Sequence, residues 1–134
     1  MLLKDIRALI ISLGLSKTCY MAKLKGDAEE TICVYHLNRQ VESRHAIGGT
    51  KSYGVMPISM LVHWNKNPTQ TEQTANSLYN ALDKMHNVTI NEQTIKMVRL
   101  LQPHPVDVGT DDKGIYEMVI EAEFYYERRL EHGN

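Results

Sequence analysis

Apolar residues recur at helical spacing over the first turns of the chain. Leu2, Ile6, Leu9 and Leu13, flanked by Leu3 and Ile10, form one stripe, and a period near 3.6 predicts an amphipathic helix. Gly14 is placed to take the left-handed stop position, with Leu15 folding back on the helix. Burying such a stripe is worth roughly 1.5–3 kcal/mol per large side chain, so the helix needs a partner layer. The pattern then changes to two β-rich runs, about 18–24 and 31–37, separated by Lys25-Gly26-Asp27-Ala28-Glu29. Gly-Asp between such runs predicts a hairpin, with the register open by a residue or two.

Residues 38–54 break the periodicity. They carry Gly48, Gly49 and Gly54 together with Arg39, Arg44, His45 and Lys51, and they predict a long, flexible, locally basic loop. Loops of this length in compact domains are usually functional or disordered. A strand follows at about 55–64, with apolar residues on both parities as a central strand requires. Asn67-Pro68-Thr69-Gln70-Thr71-Glu72 opens a second helix. Pro68 suits its first turn, and Thr69 with Glu72 has the spacing of a capping box. Ala75, Leu78, Tyr79, Leu82 and Met85 form its apolar face, and Asn87 is the expected stop.

The last third reads as β. Val88-Thr89-Ile90 and residues 94–101 are strand-like, and Gln102-Pro103-His104-Pro105 interrupts them, because proline cannot sit in a central ladder. Residues 109–114 predict a turn. Beyond it, Tyr116, Met118, Ile120, Ala122, Phe124 and Tyr126 alternate with Glu117, Val119, Glu121, Glu123 and Tyr125. That is a long antiparallel strand with one face on the core and the other mostly in water. The order α-β-β-loop-β-α-β-β predicts an α+β fold, one mainly antiparallel (mixed) sheet with two helices on one face. A length of 134 residues fits a single domain, 1–134.

Composition narrows the function. Hydrophobic residues make up 43% of the chain and charged residues 23%, as in folded globular proteins. The formal net charge of −1 argues against gripping nucleic acid, which calls for a basic excess to displace phosphate counterions. Lys4, Asp5 and Arg7 interrupt the opening apolar stretch, so no secretory leader is expected, and no membrane span either. Synthesis in the cytoplasm follows as an expectation. Cys19 and Cys33 have neither disulfide-framework nor zinc spacing. They are expected to be reduced thiols, close across the hairpin or missing each other according to its register.

No catalytic motif emerges, and neither a cofactor nor a metal is expected. Gly48-Gly49-Thr50-Lys51-Ser52 echoes a phosphate loop, but Thr50 stands where the motif needs glycine before lysine. Asp107, Asp111 and Asp112 lack calcium-loop spacing, since Asp112 stands at the sixth place where glycine belongs, and turn formation explains them. The histidines are scattered, with none at i, i+2 or i, i+4. Cys33 and His36 point to opposite faces of one strand, and no Gly-x-Ser-x-Gly elbow is present. Glu117, Glu121 and Glu123 share a strand face, which reads by default as a solvated face.

Charge is distributed unevenly. Between Asp111 and Glu131, the carboxylates of Asp111, Asp112, Glu117, Glu121, Glu123, Glu127 and Glu131 outnumber Lys113, Arg128 and Arg129. Over 39–51, Arg39, Arg44 and Lys51 stand against Glu42 alone. Opposite-sign surfaces on one chain steer identical subunits head to tail, and such contacts build a ring if the rotation closes. The interface candidates are therefore Arg39, Arg44, His45 and Lys51 on the basic side, and Asp111, Asp112, Glu117, Glu121 and Glu123 on the acidic side.

Five features together resemble a known family. They are the Ile6-x3-Ile10-x2-Leu13-Gly14-Leu15 helix, the Ile32-Cys33-Val34-Tyr35 strand and the glycine loop at 48–49. The others are the Ile58–Trp64 strand feeding a Thr-x-x-Glu helix, and the closing Pro105-x-Asp107-x-Gly109-x-Asp111-x2-Gly114-x-Tyr116 turn. This pattern is similar to the tail terminator, or minor capsid, proteins of siphophages and prophages of Gram-positive bacteria, over nearly the whole chain. The resemblance implies a structural virion protein and no enzyme. It would form a homo-hexameric ring on the head-proximal end of the tail tube, ending tube polymerisation and meeting the head-completion proteins. Its partners would be its own copies, the tube protein and the connector, with DNA passing through the lumen unbound. The competing readings are another neck component or a small soluble enzyme or ligand-binding module.

Overall fold

A computed structural model describes residues 1–25, 27–39, 44–45 and 52–128. The elements run α1 (Leu3–Ser12), β1 (Thr18–Met21), β2 (Thr31–His36), β3 (Arg44–His45), β4 (Ser52–His63), α2 (Pro68–Asp83), β5 (His86–Ile90), β6 (Gln93–Leu100), β7 (Val106–Thr110) and β8 (Tyr116–Arg128). All strands join one mixed sheet, ordered β1-β2-β4-β8-β6-β5, with β3 on β4 and β7 on β8. The α+β class and the two helices on one face agree with the expectation from sequence. Alternation along β8 and β4 sends Met118, Ile120, Ala122, Phe124, Ile58, Met60 and Val62 into one cluster with Ile6, Leu9, Ile10, Ala75, Leu78 and Leu82 of the helices.

The predicted first helix forms, and Gly14 takes the left-handed conformation with φ +67°. Leu15 packs against the core beyond it. Leu2 does not join the stripe; it is the N-cap residue and is exposed. Asp5 is buried in its place, because its carboxylate accepts the Leu2 N–H at 2.7 Å and the Asn91 Nδ2 at 2.9 Å. A buried carboxylate is tolerated when such donors replace water.

The hairpin expected at Gly26-Asp27 is not made. β1 and β2 pair in parallel, Cys19 opposite Ile32 and Met21 opposite Val34. Ala22 and Glu30, at φ 65° and 55°, turn the chain out of the sheet and back into it. Between them the backbone at Lys23 and Leu24 lies against Cys33 and Tyr35, which alternate with the core residues Ile32 and Val34 and so face away from the helices. The two cysteines are free and buried, and burial pushes the Cys19 thiol up to about 11.

Three further boundaries move. β4 begins at Ser52, so the end of the expected 38–54 loop belongs to the sheet, and Arg44–His45 pairs with Tyr53 and Ser52. The cap of α2 is Asn67, whose side chain accepts from the Thr69 and Gln70 N–H groups, in place of Thr69. Pro68 occupies the first turn as expected. Residues 106–110 form a strand on β8, and the turn is confined to the residues after Thr110. A bulge between Asp107 and Gly109, with Gly109 at φ 85°, interrupts the alternation that would have marked β7.

Candidate functional site

The sheet face away from the helices gathers most of the acidic candidates with partners that the sequence did not single out. Glu123, from β8, is only 3% exposed. Its carboxylate takes Arg99 Nη1 at 3.0 Å, Arg39 Nε at 3.3 Å and the Tyr125 hydroxyl at 3.3 Å. The register explains the meeting: Arg99 is the cross-strand partner of Glu123 on β6, with Pro57 on the other side. Two residues along, Glu121 accepts from Gln102 Nε2 at 2.7 Å. Glu123 therefore departs from the solvated face that was the default expectation. A charge in that position is retained only when paired and hydrogen-bonded.

At the other end of β8, Glu117 Oε2 lies 2.8 Å from His63 Nδ1. His63 is fully buried, and its Nε2 stands 3.7 Å from Asp111 Oδ2 without a hydrogen bond. Asp111 is shaped by its turn: Oδ1 accepts the N–H groups of Lys113 and Ile115, both at 2.9 Å. The Ile115 N–H, above all, holds the Asp111 carboxyl below its ordinary value; desolvation works against it, and the Lys113 N–H and the His63 and Lys113 charges add to the lowering. Asp112 is exposed in the same turn. A cleft of about 160 Å³ opens between the start of α2 and this end of the sheet, lined by Thr69, Thr71, Glu72, Asp107, Tyr116 and Met118 among others.

Among the basic candidates, Arg39 reaches Glu123 of its own chain. Arg44 and His45 are placed opposite Tyr53 and Ser52 by backbone pairing, and their side chains, like Lys51 and the glycines at 48–49, lie outside the described residues. Arg99, Gln102, Tyr125 and His63 were missed by sequence reading. Only Arg99 carried a usable signal, as a cation on the same parity as its strand's outward face. Among the described residues no trio of His, Cys, Asp or Glu is arranged to hold a metal ion. Glu117, Glu121, Glu123 and Asp111 are paired with an imidazole, an amide, guanidiniums and backbone N–H groups respectively.

A family model described as Bacteriophage tail terminator protein matches residues 6–128. The chain belongs to that family. The match runs from the buried face of α1 to the last residue of β8, so every tail terminator element described above lies within or across it. No curated protein matches the chain. Membership gives it a structural role in the phage tail, as a component of the virion.

Proposed function

We propose that this tail terminator caps the head-proximal end of the tail tube, ends tube polymerisation and offers the joint to head-completion proteins. The family match over residues 6–128 carries the reading. In it, copies of the chain associate into a closed ring, a hexamer by the family resemblance, through heterologous contacts between a basic and an acidic surface. A net charge of −1 suits a lumen through which DNA passes without being held. The work is done by shape and association, with no bond made or broken.

The test is deletion of the gene from its phage or prophage, followed by electron microscopy of the particles. Tails of uncontrolled length that fail to join heads are expected. Tails of normal length joined to heads overturn the proposal.

A further inference from the structure

The sheet face away from the helices carries an apolar row that is half-buried at its centre and exposed at two of its members. Val55, Tyr125 and Met97 are cross-strand partners on β4, β8 and β6, and Tyr53 stands one step along β4 on the same parity. Met97 is 46% exposed and Tyr53 41%. Arg99 and Arg39 border the row, their side chains 58% and 41% exposed and both anchored on Glu123; Arg44 stands opposite Tyr53. Tyrosine, methionine and arginine are enriched in protein interfaces, where they bury much area. Arg39 and Arg99 are already held on Glu123, which lowers the cost of ordering them.

The opposite end of β8 carries a surface of complementary character. Val108 of β7 is 50% exposed. It stands next to Asp107, with Asp111 and Asp112 in the turn beyond, against Lys113. Met97 pairs with Tyr125, and Val108 lies between the partners of Met118 and Glu117. Along β8 that is a separation of roughly 23 Å at about 3.3 Å per residue. Two surfaces at opposite ends of one strand cannot meet within one chain, and a contact between them is by geometry a head-to-tail contact between copies.

The strand edges are less suited to joining copies. Arg7 Nε takes the Cys19 carbonyl of β1 at 2.7 Å, Asn87 puts left-handed backbone into β5, and β7 is bulged with Asp107 Oδ1 on the Gly109 N–H. Such devices block strand addition. The remaining exposed apolar residues of α1, Leu2 and Ile11, are about two and a half turns apart on the helix and form no patch.

We infer that the Tyr53–Val55–Tyr125–Met97 row of one copy receives the Val108 edge of the next, its arginines facing Asp107 and Asp112. This rests on the self-association reading above and names the surfaces that make the contact. The test uses the full chain, followed by sedimentation velocity in solution and by copy number on purified tails. Met97→Glu and Val108→Lys each weaken association by roughly tenfold or more, and the double variant, which sets Glu against Lys across the contact, regains part of it. As a second measurement, Met97→Cys chains mixed with Val108→Cys chains form a disulfide between copies under mild oxidation. Association unchanged in both single variants, with no cross-link, overturns this contact while leaving a ring in place. A wild-type chain present as single copies in solution and on tails overturns the self-association reading with it.

Discussion

Glu123 shows how one side chain organises a surface. It is nearly inaccessible, yet both arginines it holds are half in water. Glu123→Ala leaves Tyr125 and two guanidiniums without their acceptor, and the guanidiniums can turn to solvent. We expect a loss of about 1–3 kcal/mol, toward the lower end because of solvent screening, measured by urea unfolding. Asp5 and Asp111 make a second prediction. Burial works against the charged form of Asp5, but the Leu2 N–H, Asn91 and nearby positive charges outweigh it, so its carboxyl lies below the ordinary value; Asp111 is lowered as well. A depressed carboxylate contributes stability that is present above the unfolded pKa, about 4, and lost as pH falls through the folded value. The stability gap between wild type and Asp111→Asn, read by chemical unfolding, is expected to narrow from pH 6 toward pH 3, and likewise for Asp5→Asn.

At the scale of elements, two local contacts fix how the long strands and the second helix sit. A Cβ on Gly54 would stand 2.1 Å from the ring of Tyr126, its cross-strand partner. Glycine there lets Tyr126 lie across β4 and close the core. Gly54→Ala is expected to destabilise by about 1–3 kcal/mol through overpacking, and a double-mutant cycle with Tyr126→Ala is expected to show the cost largely relieved. Helix α2 gives a sharper comparison. Asn67→Ala removes the acceptor of two orphan N–H groups and is expected to cost about 1 kcal/mol, whereas Thr69→Ala, at the position favoured by the capping-box spacing, costs only a few tenths. Thermal unfolding of the two variants distinguishes them. The sequence showed that a helix began here, through Pro68, but its capping-box spacing pointed to Thr69, and the folded chain puts the cap at Asn67.

For the whole molecule, the arrangement of charge matters more than its sum. The net charge is −1, yet β8 carries an arginine-bordered cluster at one end and an aspartate-rich turn at the other. Association of copies is expected to weaken steadily as salt rises from about 0.05 to 0.5 M, as the screening length shrinks, with sedimentation velocity as the readout. Arg39→Glu is a poor probe of that contact, because it would set a second carboxylate against Glu123 of the same chain. Arg44→Glu, on β3 opposite Tyr53, reverses the charge at that end of the sheet and is expected to slow association, read by sedimentation velocity.

What the sequence determined by itself was the set of faces. Period 3.6 along α1 and α2 and period 2 along β8 mark which side chains leave water, and that partition dictated two helices on one side of a sheet. Gly14 and Pro68 signalled their local backbone because glycine enters the left-handed region without a Cβ clash and the proline ring fixes φ. Tertiary structure decided what periodicity cannot carry. The parallel pairing of β1 and β2 depends on a crossover through Ala22 and Glu30, neither of which announces left-handed backbone. β7 was hidden by its bulge. The burial of Glu123 arose because the register set Arg99 beside it and Arg39 reached across to it, and register is a relation between distant segments that no single stretch of chain encodes.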